Sequence, residues 1–199
     1  MSVLAISRNT IIDRVVPRSV AADVALVAAG AALTAVAAQI SIPASPVPFT
    51  LQTLVVLLVG ASLGSVRGAL SMVLYAVLGV IGLPVFAPLS DGSHLTGIQA
   101  VLGATFGFVI GFIAAAFVVG KLAERNWSSH AVKMSVSYAI GSLVIYSFGI
   151  PVLAAVATKG DIVMAAGFMV PFLVWDAVKA VIAGALLPLA WSAVKKIKG

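Results

Sequence analysis

The run PFLVWDAVK, residues 171–179, opens an apolar stretch that continues to about Trp191. A stretch of this length can cross the hydrocarbon core of a bilayer as a helix. Asp176 and Lys179 lie three residues apart within it, and this spacing places both side chains on one face of a helix. Ionisable residues inside a membrane helix are costly and usually face a cavity that serves function. The stretch therefore predicts a membrane-spanning helix that carries a polar site.

The composition indicates a membrane protein along the whole chain. Of its 199 residues, 62% are hydrophobic and 9% are charged, whereas soluble domains average roughly 25% charged residues. The net charge of +6 would suit a nucleic-acid partner, but the basic residues sit at segment ends, which membrane topology explains better. The chain has no cysteine, and this excludes thiol chemistry and a cysteine-based metal site.

Apolar runs and the breaks between them predict an all-α membrane protein with six transmembrane helices in a single domain, residues 1–199. The predicted spans are approximately 21–42, 51–66, 69–83, 98–119, 134–157 and 171–191. Pro151, inside the fifth span, is expected to kink or end the regular part of that helix. Residues 162–170 are apolar and broken by glycine, which suits a re-entrant or interfacial piece.

The basic residues predict the orientation of these spans. One side collects Arg8, Arg14, Arg18, Arg67, Lys121, Arg125, Lys133, Lys195, Lys196 and Lys198, and the other side has Lys159. Basic loops stay cytoplasmic, so we expect both termini in the cytoplasm and the 43–49, 84–97 and 159–170 segments outside. Asp176 then lies roughly 7–8 Å below the outer end of its helix, and Lys179 roughly 12 Å.

Small residues in the first span predict close helix packing. Alanines recur at helical spacing, namely Ala21, Ala25, Ala28, Ala29 and Ala32. Such spacing lets helices approach closely in a membrane, either against another protein or within the chain. Gly103, Gly107 and Gly111 form a similar face in the fourth span. Ala35 and Ala37 also suit a signal-peptide cleavage site, although the apolar run is long for a signal.

A proline-rich connector joins the first two spans. Pro43, Pro46 and Pro48 cannot continue a helix and predict a stiff, largely extended segment. Phe49, Thr50 and Gln52 follow where a helix begins again, which suggests the rim of a pocket. The alternative is a simple turn in which Thr50 caps the next helix.

Motifs for catalysis are missing from the sequence. Gly120-Lys121 is followed by Leu122, so no phosphate-binding loop is present and the chain is not expected to hydrolyse ATP. His94 and His130 lie on opposite predicted sides and cannot share a metal ion. We expect no catalytic residue, no metal and no cofactor.

A binding site is better supported than a catalytic one. Asp176 can accept hydrogen bonds and Lys179 can donate them, which suits a neutral ligand with N–H and C=O groups, such as a urea or an amide. Aromatic residues that could form apolar walls are Phe49, Tyr75, Phe86, Phe172 and Trp175. In the alternative interpretation, the charged residues only pair with each other to hold two helices, and the aromatic residues pack or form an interfacial belt.

Three motifs in order and spacing resemble the BioY family, the biotin-specific substrate-binding (S) components of energy-coupling factor (ECF) transporters. They are PVPFTLQT at 46–53, the stretch from Gly79 to Phe86 that ends in GLPVF at 82–86, and PFLVWDAVK at 171–179. The resemblance runs from the first proline cluster to the last span. The PVPFTLQT string is its specific part.

The resemblance implies a six-helix protein of the bacterial or archaeal plasma membrane that captures biotin from outside as a ligand. Implied partners are an ECF module, made of a membrane coupling subunit and two cytoplasmic ATPases, which would dock on the alanine stripe of the first span. By position, Asp176 would accept from a ureido N–H and Lys179 would reach polar groups of the ligand. The other implied ligand-binding residues are Tyr75, Phe86 and Phe172 on the rings or chain, Thr50 and Gln52 at the rim, and Ser93 and His94 near the carboxylate.

Two departures from the family pattern stand out. The family commonly shows Gly-Pro-Thr-Gly-Gly-Tyr early in the fourth helix, where this chain has Gly103-Ala104-Thr105-Phe106-Gly107-Phe108. Trp175 replaces a glycine before the aspartate and would either line the pocket or point to lipid. Two other functions stay open, an S component for another small vitamin and an intramembrane enzyme or scaffold with a structural Asp–Lys pair.

Overall fold

A computed structural model describes residues 10–17, 19–42, 44–89 and 91–198. The helices are α1 (Ile12–Val15), α2 (Val20–Gln39), α3 (Gln52–Leu63), α4 (Ser65–Val80), α5 (Gly97–Val101), α6 (Phe106–Glu124), α7 (Ala131–Ala157), α8 (Ile162–Gly167) and α9 (Val170–Lys198). A 3₁₀ turn, Trp127–Ser129, precedes α7. The predicted helical fold is confirmed.

Length and apolar composition identify the helices that can cross a membrane. Within the described residues, α2, α6, α7 and α9 are each long and apolar enough to do so. Helices α3 and α4 are apolar but shorter, with 12 and 16 residues. Gly64 separates them with φ +88°, a conformation that glycine adopts at little cost. The two helices therefore form a tight hairpin.

The bundle is built around α6 and α7, which pack against each other along their lengths. Helix α6 also contacts α3 and α4, while α9 packs on α7 and α2 packs on α4. Gly107 and Gly111 bring α6 close to the backbone of α7, since a Cβ on Gly111 would lie 2.9 Å from Cα of Ile145. Gly103, predicted on the same face, lies instead in the turn before α6.

Several predicted boundaries were wrong. The fourth span, predicted as 98–119, consists of α5, a turn, and α6, which runs on to Glu124. The turn forms because hydrogen bonds from Phe106 N to Gly103 O and from Phe108 N to Thr105 O replace the helical ladder. The third span begins at Ser65 instead of residue 69, because Gly64 alone makes the break.

The remaining helices run past their predicted ends. Helix α7 starts at Ala131, and α9 continues to Lys198 through Pro188. Pro151 lies inside α7, which continues to Ala157, so the expectation that this proline could end the helix was wrong. Membrane helices tolerate an internal proline because neighbouring groups satisfy the freed carbonyl. The 162–170 segment contains the short helix α8.

The connector after α2 is a small hairpin and not simply an extended segment. Strand β1 (Ser41–Ile42) pairs antiparallel with β2 (Phe49–Thr50), with Ser41 opposite Thr50. Prolines lie in the loop between these strands, where their missing N–H groups leave the pairing intact. Pro43 lies outside the described residues. The hairpin folds back over the ends of α3 and α9.

A polar cluster ties together the opposite end of the bundle. Arg67 binds Asp13 at 3.0 Å and Asp23 at 2.7 Å, and all three side chains are buried. Arg14 lies over the ring of Trp191, whose indole N–H donates to Ser128. These contacts join α1, α2, α4, α9 and the 3₁₀ turn. Arg67, which the sequence predicts among the basic residues of the cytoplasmic side, is thus an internal ion-pair partner, while Arg8 and Arg18 lie outside the described residues.

Candidate ligand-binding site

A cavity lies at the end of the bundle that carries the β1–β2 hairpin and the 81–96 segment. Its wall is formed by the hairpin, by α3, α4 and α6, and by α7 and α9. The predicted ligand-binding residues that line it are Thr50, Gln52, Tyr75, Phe86, Phe172, Asp176 and Lys179. The structure thus brings together residues from the beginning, the middle and the end of the sequence.

Lys179 is held by the connector and by α3. Its Nζ donates to the carbonyl oxygen of Thr50 and to the hydroxyl of Thr53, both at 2.8 Å. The side chain is 9% exposed, so these oxygens replace the water that an ammonium group loses on burial. An ammonium group has three donors, and the third remains for Asp176 or for a ligand in the cavity.

Asp176 is positioned by a residue of the neighbouring helix α7. The hydroxyl of Tyr146 donates to Oδ2 of Asp176, and Tyr146 also lines the cavity. Oδ1 lies 3.8 Å from Nζ of Lys179, which is an ion pair but too long for a hydrogen bond. Oδ1 therefore keeps acceptor capacity, and Asp176 lines the cavity.

The contacts of Asp176 and Lys179 extend beyond their pairing with each other. Both residues are on α9, and each finds its close partner on another element, Tyr146 on α7 for the aspartate and Thr50 and Thr53 for the lysine. Both residues are buried, with 8% and 7% of their surfaces exposed. The pair therefore faces protein and cavity and not the lipid side of α9.

A second set of hydrogen bonds lies on the side of the cavity near the β1–β2 hairpin. The amide nitrogen of Gln52 and the hydroxyl of Tyr75 are 2.5 Å apart, and that hydroxyl donates to the carbonyl oxygen of Val85 at 3.2 Å. Tyr75 is fully buried. Its hydroxyl is thus engaged within the protein, and it presents its ring to the cavity. Thr50 also accepts from the N–H of Gln52, the first residue of α3, at 3.2 Å. It thus supports the start of α3 and lines the cavity, although the N-cap position itself is Leu51.

Aromatic rings form the apolar walls. Phe86 meets Tyr75 edge-on at 5.4 Å and Phe106 at 6.4 Å between ring centroids. Phe172 stacks on Phe49 at 4.0 Å, and this stack fixes the hairpin to α9. A site with aromatic walls and a few placed polar groups is typical of small-molecule binding.

Two of the predicted ligand-binding residues do not lie on this wall. Ser93 is exposed and donates to Asp91 through its hydroxyl at 2.6 Å and its N–H at 2.9 Å. These hydrogen bonds lower the pKa of Asp91 below its ordinary value. His94 places Nδ1 2.9 Å from the carbonyl oxygen of Phe86. Both residues shape the loop beside the cavity, and their contact with a ligand carboxylate stays a prediction.

The residues that depart from the family pattern separate into two groups. Phe106 and Phe108 line the cavity, so these departures change its inner surface. Trp175 is 49% exposed and is not part of the wall, which places its ring on the outside of α9. Of the two alternatives for Trp175, lining the pocket is thereby excluded, and its contact with lipid stays a prediction.

The alanine stripe of the first span faces outward. Its members, Ala21, Ala25, Ala28, Ala29 and Ala32, are all exposed. The opposite face of α2 is buried and includes Gly30, Ala31, Thr34 and Ala38. Packing within the described chain therefore does not use the stripe.

Sequence reasoning missed Tyr146 and Thr53. Both side chains hold the charged pair. Thr53 closes the PVPFTLQT motif but was not singled out within it, whereas Tyr146 stands among apolar and small residues and belongs to no motif. Tyr138 was missed for the same reason, and its hydroxyl lies 3.4 Å from that of Thr53. A hydroxyl within an apolar span is the one signal that could have directed attention to these positions. In the described residues, no group of three or more His, Cys, Asp or Glu could hold a metal ion.

Comparison with known proteins assigns the chain to a family. The model of the BioY family matches residues 8–196. The chain belongs to the BioY family. The resemblance drawn from the three motifs is thus confirmed.

Relatives of this BioY family member are similar over most of their length. The biotin transporter BioY of Thermotoga maritima is 41% identical over 152 residues, which cover 76% of this chain and 85% of that protein. The probable biotin transporter BioY of Pyrococcus horikoshii is 39% identical over 165 residues, or 82% and 94% of the two chains.

A solved structure shares the fold. The crystal structure of the S-component for biotin from an ECF-type ABC transporter superposes with a TM-score of 0.70 at 20% identity. The superposition covers 92% of this BioY chain and 95% of the other chain. At this identity the likeness establishes the common fold alone.

Proposed function

We propose that this protein captures biotin at the outer face of a bacterial or archaeal cell membrane and passes it inward as the S component of an ECF transporter. The observation that carries the proposal is the buried Asp176–Lys179 pair at a cavity with aromatic walls, in a chain of the BioY family. The ureido group of biotin is neutral and offers both N–H donors and a C=O acceptor, which match the free capacity of this pair.

Each charged residue has a role in this proposal. Oδ1 of Asp176 accepts from a ureido N–H, while Tyr146 keeps the carboxylate in place. The third donor of Lys179 reaches a polar group of the ligand. The rings of Tyr75, Phe86 and Phe172 contact the apolar parts of biotin, where burial contributes roughly 25 cal/mol per Å².

The proposed topology has six spans, α2, α3, α4, α6, α7 and α9, with both termini cytoplasmic, in a single transmembrane domain. Helices α3 and α4 are shorter than the roughly 20 residues that a bilayer requires. The β1–β2 hairpin and the 81–96 segment complete the outer layer there. Irregular backbone is tolerated at that depth where it lines a cavity within the protein.

The proposed partner is an ECF module with a membrane coupling subunit and two cytoplasmic ATPases. The exposed alanine stripe of α2 supports this arrangement, since small residues let a partner helix approach closely. The chain carries no phosphate-binding loop of its own, so the energy would come from the ATPases.

The test is biotin binding by the purified protein with a single matched pair of substitutions. Asp176→Asn removes the charge of the acceptor, and we expect biotin affinity to fall about 10- to 100-fold, since a hydrogen bond to a charged group is worth about 1.5–3 kcal/mol. Asp161→Asn makes the same change at the N-cap of α8, where asparagine caps equally well, and should leave binding unchanged.

A panel of small vitamins separates biotin from other ligands. We expect the wild-type protein to retain biotin with nanomolar affinity, about −12 kcal/mol, and to bind the other vitamins far more weakly. Preferential retention of another vitamin would reassign the ligand. Unchanged biotin binding by a folded Asp176→Asn protein would contradict the proposed site, and mass spectrometry of the molecule that copurifies gives an independent identification.

A further inference from the structure

We infer that two glycines behind the cavity wall, Gly79 in α4 and Gly149 in α7, determine how wide a ring system the cavity accepts. Each glycine forms a notch into which one aromatic side chain of the wall is seated, Phe86 at Gly79 and Phe108 at Gly149. The inference rests on the proposed function, because it concerns the selectivity of the same site.

The ring of Phe86 occupies the space that a side chain on residue 79 would need. A Cβ built on Gly79 would overlap Cζ and Cε2 of Phe86, at distances that real Cβ atoms do not reach. The ring is 8% exposed and lines the cavity. Because Gly79 has no side chain, the ring of Phe86 can pack against α4 and leave more of the cavity open to a ligand.

Phe86 has little freedom to move in any other direction. Its carbonyl oxygen accepts from Nε2 of Gln39 at 3.3 Å and lies 2.9 Å from Nδ1 of His94. Its ring is bounded by Tyr75 on one side and Phe106 on another. If a methyl group filled the notch, the ring would have to swing into the cavity.

Phe108 has the same relation to Gly149. A Cβ on Gly149 would overlap Cδ1 and Cε1 of Phe108, and Phe108 also lines the cavity. Gly149 is three residues beyond Tyr146, so it lies on the same face of α7 as the residue that holds Asp176. The second notch therefore sets the width beside the polar pair.

The two notches favour a ligand with a fused pair of rings over one with a single ring. Adding a methyl group at either glycine would displace an aromatic wall into the space for the wider ring system. One methylene of pocket space changes selectivity by about 10- to 200-fold. The positions thus act through the rings they seat, without touching the ligand themselves.

The experiment measures binding of biotin and of desthiobiotin, which lacks the sulfur bridge and keeps a single ring. We expect Gly79→Ala and Gly149→Ala each to weaken biotin binding about tenfold or more and to weaken desthiobiotin binding less. The double variant Gly79→Ala/Phe86→Leu removes the ring atoms that the new methyl group meets. It should bind biotin more tightly than Gly79→Ala alone, and Gly149→Ala/Phe108→Ala tests the second notch in the same way.

Gly141→Ala is the matched control. It lies on the same helix as Gly149, and its Cβ would crowd Leu57 at 2.5 Å and Val119 at 2.9 Å, neither of which lines the cavity. We expect it to lower thermal stability while the ratio of biotin to desthiobiotin affinity stays as in the wild type.

The outcomes separate this inference from the proposed function. A wild-type protein that does not bind biotin overturns the proposed function, whatever the variants do. If the wild type binds biotin and the folded Gly79→Ala and Gly149→Ala proteins keep the wild-type ratio, the notch inference is wrong. If a single variant does not fold, its double variant should fold and bind, and failure of both double variants to fold would also overturn the inference.

Discussion

Lys179 links α9 to the β1–β2 hairpin and to α3 at the wall of the cavity. Its ammonium group binds a backbone carbonyl of the hairpin and a hydroxyl of α3, and it retains one donor. Asp176 is anchored separately by Tyr146. Lys179 thus has two fixed protein partners and one free donor, while Asp176 is fixed through Oδ2 by Tyr146. This arrangement suits recognition of a small neutral molecule.

At this scale we predict that Tyr146→Phe weakens biotin binding about 3- to 10-fold while the protein stays folded. The substitution removes a hydrogen bond worth about 1 kcal/mol and leaves the carboxylate of Asp176 free to turn. Isothermal titration calorimetry on the detergent-purified protein measures the effect. Ser147→Ala is the control, because it removes a hydroxyl from the next position of α7, where the side chain is exposed and is not part of the cavity wall. Equal losses in the two variants would contradict the positioning role of Tyr146.

The charged pair could be predicted from sequence because charge within an apolar span is conspicuous and the spacing fixes a common face. The partners could not be predicted in the same way. Tyr146 contacts Asp176 only because α7 packs against α9 at these residues. Thr53 contacts Lys179 only because the connector brings the start of α3 close to α9. Such contacts depend on tertiary packing, which neither periodicity nor composition encodes.

At the scale of elements, the contact between α6 and α7 organises the bundle. Gly107 and Gly111 let the two backbones approach, and the sequence predicted both of them from their spacing. Gly103 has the same spacing but falls in the turn before α6, because the helical hydrogen bonds are interrupted there. A spacing of four residues thus predicts a face only where the helix is continuous.

We predict that Gly107→Ala destabilises the protein by about 1–3 kcal/mol, the usual cost of overpacking. Its Cβ would lie 2.6 Å from the carbonyl oxygen of Phe148, and a backbone atom cannot move aside as a side chain can. The control is Gly167→Ala in α8, where nothing lies within 4 Å and alanine should be neutral or slightly stabilising. Thermal unfolding in detergent compares the two, and a similar midpoint for both would refute the close approach of α6 and α7.

Boundaries were the least predictable property of the elements. Hydropathy falls where a span meets charged residues, so the predicted ends stop there, yet α6 and α9 continue through their basic ends. Lysine, alanine and glutamate are good helix formers, and hydrogen bonds such as that of Glu124 with the N–H of Ser65 hold the last turn. Local polarity is therefore a poor guide to the residue at which a helix ends.

For the whole molecule, the two ends of the bundle differ in character. One end carries the buried Arg67 cluster and the described basic residues of the α6–α7 connection. The other end carries the hairpin, the 81–96 segment and the cavity. The sequence predicted this asymmetry from the distribution of lysine and arginine, because the positive-inside rule depends on the location of charge and not on packing.

The orientation can be tested by cysteine labelling, since the chain has no cysteine of its own. We predict that Ser93→Cys, in the exposed loop beside the cavity, reacts with a membrane-impermeant maleimide in intact cells. His130→Cys, exposed at the basic end, should react only after the cells are permeabilised. The reverse pattern would place the cavity on the cytoplasmic side and would contradict capture from outside.

The stack of Phe49 on Phe172 and the bond from Lys179 to Thr50 have a joint mechanical consequence. Both tether the hairpin to α9, the same helix that supplies Asp176. A tilt of α9 would thus drag the hairpin along and keep the gap between them constant. The described part of the segment between α4 and α5, on the far rim, shows no hydrogen bond or ring contact to α9, so we expect a ligand to enter on that side.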